Sequence, residues 1–300
     1  MNVSLIGTNG FMSNCIGKYC NEQGYFLDVY GRGEPKSHNY EQFFKLDLLS
    51  DNLRNQKFVN SDVVIYAAGG GIQFGLKEDV DAIYKLNVSV PISIFNILKD
   101  AGFNGTFITF GSYFEIGENI ENISFAEQDL ISTQLFAPTD YTISKRTLTR
   151  FFSSAHANFQ FYHFILPTIY GENESKNRLI PYTLNSIYNN VEMKLTSGGQ
   201  VRQYIYIFDA ISLLFNSILA NIESGIYNVP GIEEFSVKEL VESLFNLADA
   251  RVPEDIFGKT ERADVGMKIL KLNADKLLNC VKLKSETKIA DVYQKYSFDS

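Results

Sequence analysis

Cysteine is scarce in this chain. Cys15, Cys20 and Cys280 are the only three among 300 residues, with no Cys-x-x-Cys pair and an odd count that leaves no complete disulfide framework. A reducing compartment, and hence a cytoplasmic protein, is expected. Histidine is as scarce: His38, His156 and His163 lie without ligand spacing, so they read as structural or surface residues and no metal site is expected. No apolar run reaches the ~20 residues of a bilayer span, and no basic segment leads into a long apolar one, so neither export nor membrane insertion is expected. Positive charge is also short, with 27 Lys and Arg against 35 Asp and Glu and a net charge of -8. Without a basic stripe, that field repels a nucleic-acid backbone or an anionic membrane. Small molecules are the expected partners, and an anionic one needs individually placed cations to hold it. Internal repeats, low-complexity tracts and Pro-rich linkers are missing too, which implies lobes interwoven in one unit.

What the chain does have is 45% hydrophobic and 14% aromatic residues, enough for a substantial core. In the first half short apolar runs alternate with helical patterns: Asn2–Ile6, Phe11–Gln23, Tyr25–Tyr30, Leu49–Lys57, Val63–Tyr66, Leu76–Ala101, Phe107–Phe110, Tyr141–Ala157 and Phe161–Leu166. Strand-helix alternation implies right-handed parallel crossovers: an α/β fold, a doubly wound parallel sheet that takes its ligand at the carboxyl ends of its strands. After Pro167 the rhythm shortens through Ile180–Asn189, Tyr204–Ile207, Ala210–Asn221, Ile226–Val229, Val237–Ala248 and Ala274–Leu278. The division expected is a dinucleotide-binding domain over 1–166, with 203–224 returning to it, and a smaller substrate lobe formed mainly by 167–300.

The run Gly7-Thr8-Asn9-Gly10-Phe11-Met12-Ser13 follows the first strand and opens the first helix. Glycines at 7 and 10 permit a tight turn and close approach of backbone to a pyrophosphate, while the helix N-terminus presents N–H donors. Gly7, Asn9, Gly10, Phe11 and Met12 are therefore candidate cofactor contacts, with Ser13 in the slot of a third glycine. The second strand ends in Tyr30-Gly31-Arg32. An acidic residue there binds the adenosine ribose, whereas an arginine accommodates a 2′-phosphate. Arg32 thus favours NADP(H) over NAD(H), provided that Asp28, earlier in the strand, points into the sheet's flank.

Tyr141 and Lys145 stand at i and i+4, on one face of a helix. A phenol with a pKa near 10 is a poor acid-base catalyst at neutral pH, and a neighbouring ammonium lowers that value. Ser112 ends the strand Phe107–Phe110 two residues on, which puts its hydroxyl at the cofactor edge, where it can hydrogen-bond a reacting carbonyl.

Together, Gly7–Ser13, Ala67-Ala68-Gly69, Asn87, Ser112, Tyr141–Lys145 and Pro167–Gly171 occur in the order and at the spacing of a known family. The chain resembles the extended short-chain dehydrogenase/reductases of the NAD-dependent epimerase/dehydratase family. The likeness continues through Arg178-Leu179-Ile180-Pro181, Gly199–Asp209, Ile226–Gly231 and Arg262-Ala263-Asp264. It implies a Rossmann-type domain and a C-terminal lobe that takes a nucleotide-diphosphate sugar. By resemblance, Asp47 and Leu48 contact the adenine, Ala67, Ala68 and Gly69 form a cofactor loop, Asn87 joins the cofactor site, and Pro167 and Ile169 lie on the nicotinamide side. Ser112, Tyr113, Arg178, Arg202 and Arg262 fall on the substrate side, with Arg202 and Arg262 matching arginines that hold the sugar nucleotide's phosphates. Many relatives dimerise through two helices, for which Leu76–Ala101 and Tyr141–Ala157 are the candidates.

The family's 4,6-dehydratases carry Thr-Asp-Glu around the catalytic hydroxyl, since eliminating water needs a further acid and base. Here the stretch reads Ser112-Tyr113-Phe114, which argues against dehydration. Gly111–Phe114, Tyr141–Arg146 and Gly199–Asp209 are similar to nucleotide-sugar 4-ketoreductases that make CDP-abequose, CDP-paratose or dTDP-fucose. The expected activity is NADPH-dependent reduction of the C4 ketone of a nucleotide-linked 4-keto-6-deoxyhexose in deoxysugar and cell-surface polysaccharide synthesis. A cofactor-retaining NAD(P)-dependent 4-epimerase and a non-catalytic dinucleotide sensor remain as alternatives.

Overall fold

The computed structural model describes residues 1–54, 56–71, 79–261 and 266–297. Seven parallel strands form the large sheet: β1 (Asn2–Ile6), β2 (Phe26–Gly31), β3 (Gln42–Lys45), β4 (Val63–Tyr66), β5 (Thr106–Ser112), β6 (Gln160–Leu166) and, after β7 (Thr168–Tyr170) and β8 (Val201–Tyr206), β9 (Gly225–Asn228). Their spatial order is β3-β2-β1-β4-β5-β6-β9. The order reverses between β1 and β4, and that is where a doubly wound sheet opens a crevice beyond its strand ends. All seven residues of β5 are buried, the signature of a central strand covered on both faces.

One face carries α1 (Phe11–Glu22) and, later in the chain, α7 (Ile207–Leu219). Between them come α2 (Val80–Tyr84), α3 (Val90–Asp100), α4 (Glu127–Ser132), α5 (Asp140–Ser153) and α6 (Leu179–Asn189). In α1 the buried Ser13, Ile16, Gly17 and Cys20 follow helical spacing toward the sheet. Tyr19 stacks on Phe215 of α7 at 4.9 Å. On the other face α3 and α5 pack around Phe95, whose ring lies 5.2–5.7 Å from those of Phe151, Phe152, Phe159 and Phe161. A small sheet at the strand-end side is built on β8, which pairs antiparallel with β10 (Glu233–Ser236) and parallel with β7 and β11 (Ile269–Leu270). The chain is completed by α8 (Val237–Leu247), α9 (Asp275–Leu278) and α10 (Ile289–Val292). Of the segment 203–224, β8 up to Tyr206 belongs to the small sheet, α7 packs on α1, and the strand that closes the large sheet starts at Gly225. No helix among the described residues is long and apolar enough to cross a membrane.

One expectation is corrected. The described residues of Leu49–Lys57 form no α-helix: Asp47 Oδ1 accepts from the Leu49 N–H at 3.0 Å, Asp51 Oδ2 from that of Asp47 at 2.6 Å and Asn52 Oδ1 from that of Arg54 at 2.9 Å. Such local side-chain bonds compete with a helix ladder, and only a 3₁₀ turn, Lys57–Asn60, follows. Of Leu76–Ala101 the first residues lie outside the described ones, and the rest runs helical from Val80 to Asp100 with a π-helical turn over Lys85–Ser89 inside it, next to Pro91, which lacks the N–H that would bond back to residue 87. The short edge strand β3, and with it β7, β10 and β11, has no counterpart in the apolar alternation.

Candidate active site

Gly7 has φ +102°, and a Cβ there would sit 2.9 Å from the Ala68 backbone nitrogen. The β1 and β4 loops therefore touch, and only glycine fits between them. Gly10 is the N-cap of α1 and no side chain caps the helix, so its first N–H groups remain available to an anion. This crowded, uncapped turn fits a pyrophosphate. Thr8 Oγ1 and the Asn9 amide donate to the Gly33 carbonyl at 2.7 and 3.2 Å, tying the turn to the loop after β2. Arg32 is exposed on that loop. Asp28 is paired with Gln42 of β3, three residues before the end of β2, and accepts a backbone hydrogen bond from Gln42; it faces the flank. Asp47 is engaged by Leu49, and Leu48 is buried. Phe11 lies 6.0 Å under the Arg178 guanidinium, while Met12 is half-buried beside it.

Asn87 sits in the π-helical turn, a distortion that often marks functional positions. Its amide donates to the Gly70 carbonyl at 2.9 Å and to Ser144 Oγ at 3.0 Å, and its oxygen accepts from the Gly70 N–H at 3.0 Å. Asn87 thereby fastens the Ala67–Gly70 loop to α5.

Three side chains converge at the end of β5. Thr139 caps α5, its hydroxyl accepting from the Thr142 N–H, and this sets the register that places Tyr141 and Lys145 on one face. The Ser112 hydroxyl bonds the Tyr141 phenol. Lys145 Nζ lies 6.0 Å from the Tyr141 ring centroid and donates to the Phe110 carbonyl at 2.8 Å. Burial pushes the Tyr141 phenol up to about 12, against the Ser112 hydrogen bond and the Arg178 charge, which lower it. Two charges act on the phenol in this state, Glu115 raising it and Arg178 lowering it, so the cation that favours the phenolate is Arg178, where the sequence pointed to Lys145. Burial pushes Lys145 down, and Glu115 opposes that shift.

Glu115 is the residue that sequence reasoning passed over. It is 0% exposed, accepts from the Ser112 N–H at 2.8 Å through Oε1 and from the Thr149 hydroxyl at 2.5 Å through Oε2. Thr149 also meets His163 Nε2 at 2.8 Å, and His163 Nδ1 meets Thr109 Oγ1 at 2.8 Å. Since the single Thr149 proton goes to Glu115, the threonine accepts from Nε2–H and Thr109 donates to Nδ1. Burial raises the carboxyl of Glu115 to about 7, opposed by its two hydrogen bonds and by Lys145 and Arg146. It lowers His163 to about 3. His163 is structural, as its isolation in the sequence implies. The signal available for Glu115 was a charged residue inside an otherwise apolar strand-end turn.

On the substrate side, Arg202 is 6% exposed, donates to the Val201 carbonyl at 2.9 Å and holds its guanidinium 5.8 Å from the Phe114 ring. Phe114 in turn lies 6.3 Å from Tyr141, so one aromatic ring stands between Arg202 and the phenol. Arg178 bonds the buried Glu174 at 2.8 Å and the Ile169 carbonyl at 2.7 Å, fixing it between cofactor turn and phenol. Tyr113 is buried, with its hydroxyl 2.5 Å from Thr168 Oγ1, next to the buried Pro167. Arg262 lies outside the described residues.

A profile of the NAD-dependent epimerase/dehydratase family matches residues 3–229. The chain belongs to that family. Two CDP-abequose synthases are similar to this epimerase/dehydratase-family chain. That of Salmonella muenchen is 25% identical over 146 residues, 49% of this chain and 46% of its own length. That of Yersinia pseudotuberculosis is 24% identical over 224 residues, 72% of this chain and 69% of its own length. The chain thus spans less than half of the first relative. Among solved structures, MoeE5 in complex with UDP-glucuronic acid and NAD superposes with a TM-score of 0.82 over 99% of this chain and 97% of its own, at 17% identity, a likeness of fold.

Proposed function

We propose that this family member reduces the C4 ketone of a nucleotide-activated 4-keto-6-deoxyhexose with NADPH, in deoxysugar synthesis. The observation that carries the reading is the convergence of Ser112, Tyr141 and Lys145 at the strand edge, with Tyr113 and Phe114 where a dehydratase needs its acid and base. The carboxylate nearest in sequence, Glu115, is turned into the core. The similarity to two CDP-abequose synthases supports the same substrate class.

On this reading the large sheet carries the cofactor and the segments after Pro167 carry the sugar nucleotide. Gly7, Asn9, Gly10, Phe11 and Met12 hold the pyrophosphate, Asp47 and Leu48 contact the adenine, Ala67, Ala68 and Gly69 form a cofactor loop that Asn87 supports, and Pro167 and Ile169 lie on the nicotinamide side. The MoeE5 structure contains NAD; the preference for NADPH here rests on Arg32, free of a neighbouring carboxylate on Gly31, and on Asp28 facing the flank. A bound nicotinamide supplies the hydride. Tyr141 delivers a proton to the oxygen of the reacting carbon, Ser112 polarises that carbonyl, Lys145 anchors the ribose, and Arg178 favours the phenolate that remains. Arg202, with Arg262 by family pattern, grips the diphosphate, and Arg178 lies on the substrate side near the phenol. Binding that remote group orients the keto sugar. The test is loss of absorbance at 340 nm on mixing protein, NADPH and nucleotide-linked 4-keto-6-deoxyhexoses; a changed sugar without cofactor consumption would replace the reading with epimerisation.

A further inference from the structure

The stretch Phe110–Gly111–Ser112 is held at its two ends by groups of opposite charge. Lys145 Nζ is bonded to the Phe110 carbonyl, and Glu115 Oε1 to the Ser112 N–H. Between them Gly111 has no side chain, and a Cβ built on it would fall 2.6 Å from Glu115 Oε1 and 2.8 Å from His163 Nε2. The carboxylate and the imidazole occupy the volume that any other residue would take. Thr149, one turn after Lys145 on α5, donates to the second carboxylate oxygen. The main chain is clamped as well, because Arg146 donates to the Glu115 and Ile116 carbonyls at 2.5 and 2.8 Å.

Lys145 is 7% exposed and Glu115 0%. An ammonium in so dry a place sheds its proton unless a negative charge is near. The titratable groups facing it are few: Glu115 from the turn after β5, Tyr141 from its own helix, and His163 from β6, itself held neutral by burial and by the Lys145 charge. Those facing Glu115 are Lys145 and Arg146, the Tyr141 phenol, whose ionisation its charge opposes, and the neutral His163 across Thr149. We propose that Glu115 is the internal counter-charge of Lys145, a positioning residue that keeps the ammonium protonated on the side away from Tyr141 while holding the Ser112 backbone in line. Glu115 does not touch substrate. It acts through Lys145 and Ser112, and Gly111, Thr149 and His163 form the socket that admits it.

The inference rests on the hydride-transfer reading for its kinetic consequence alone, so a measurement independent of turnover comes first. In protein carrying [6-¹³C]lysine, the Lys145 resonance, identified by its loss in Lys145→Met, reports the ammonium titration. In Glu115→Gln the midpoint falls by about 1 pH unit or more relative to wild type. Thr149→Val, which keeps the carboxylate but removes one of its donors, lowers the midpoint by less and serves if the first variant does not fold. In turnover the alkaline limb of kcat moves to lower pH in Glu115→Gln with KM for the sugar nucleotide unchanged. An unmoved Lys145 midpoint in both variants overturns the proposal. A Lys145 midpoint lowered in Glu115→Gln, together with a wild-type protein that turns over no keto sugar, supports the counter-charge and defeats the ketoreductase reading instead.

Discussion

Acidifying the protein from pH 7 to pH 5 separates two buried groups whose effects oppose one another. Folding keeps His163 neutral down to about 3, while the unfolded chain takes up the imidazole proton below its ordinary value near 6.5. Protons then bind the unfolded state more, so stability present above pH 6.5 is lost as pH falls toward 3. At about 1.4 kcal/mol per pH unit of full differential binding, the loss between pH 7 and pH 5 is about 2 kcal/mol. It depends on the unfolded value alone, since both pH values lie well above 3. Glu115 has the opposite sign: its folded carboxyl is raised, so the folded chain binds a proton that the unfolded chain releases, and acidification through that window favours folding. The wild-type dependence is therefore shallow. In Glu115→Gln the His163 loss stands uncovered, and urea unfolding at the two pH values yields a free energy about 2 kcal/mol lower at pH 5. In His163→Asn stability rises over the same interval. Comparing changes with pH removes whatever each substitution costs at pH 7. The same change with pH in wild type and both variants would refute the assignment of these two groups to one dry network.

Arg202→Ala raises KM for the sugar nucleotide about tenfold or more, the worth of a charge-assisted contact to phosphate, and wild-type kinetics would remove that arginine from the site. Arg32→Ala weakens NADPH binding about tenfold or more while leaving NADH unaffected; equal loss for both cofactors would contradict its place at the 2′-phosphate. Gly7→Ala forces a side chain into positive φ against the Ala68 nitrogen, at a cost of about 1–3 kcal/mol in stability, with loss of dinucleotide affinity by fluorescence titration. Asn87→Ala leaves the Gly70 backbone and Ser144 short of their partner, lowering stability by about 2–4 kcal/mol.

The parallel sheet was legible because β1, β4, β5 and β6 are apolar runs separated by helical patterns, and the glycine turn announced which edge binds ligand. The Tyr141 and Lys145 pair was legible because i and i+4 spacing fixes a shared helix face. Less was visible where tertiary context decides. Asp47, Asp51 and Asn52 bond their own backbone and dissolve the expected helix at Leu49–Lys57. The small sheet assembles from strands too short to show a period, such as the two-residue β11. Glu115 escaped because its partner Thr149, and His163 beyond it, are distant in sequence, and a lone acidic residue in a turn ordinarily faces water. Which cation reaches Tyr141 was equally invisible: Arg178 arrives from the N-cap of α6, placed there by Glu174 and Ile169.

The central claim is met most directly by following 340 nm absorbance with purified protein, NADPH and a panel of CDP-, dTDP-, UDP- and GDP-linked 4-keto-6-deoxyhexoses. The account predicts NADPH oxidation with one nucleotide, reduced at least about 10²-fold in Tyr141→Phe, as expected when a general acid is removed. Undiminished oxidation in Tyr141→Phe, or none with any member of the panel, would contradict it.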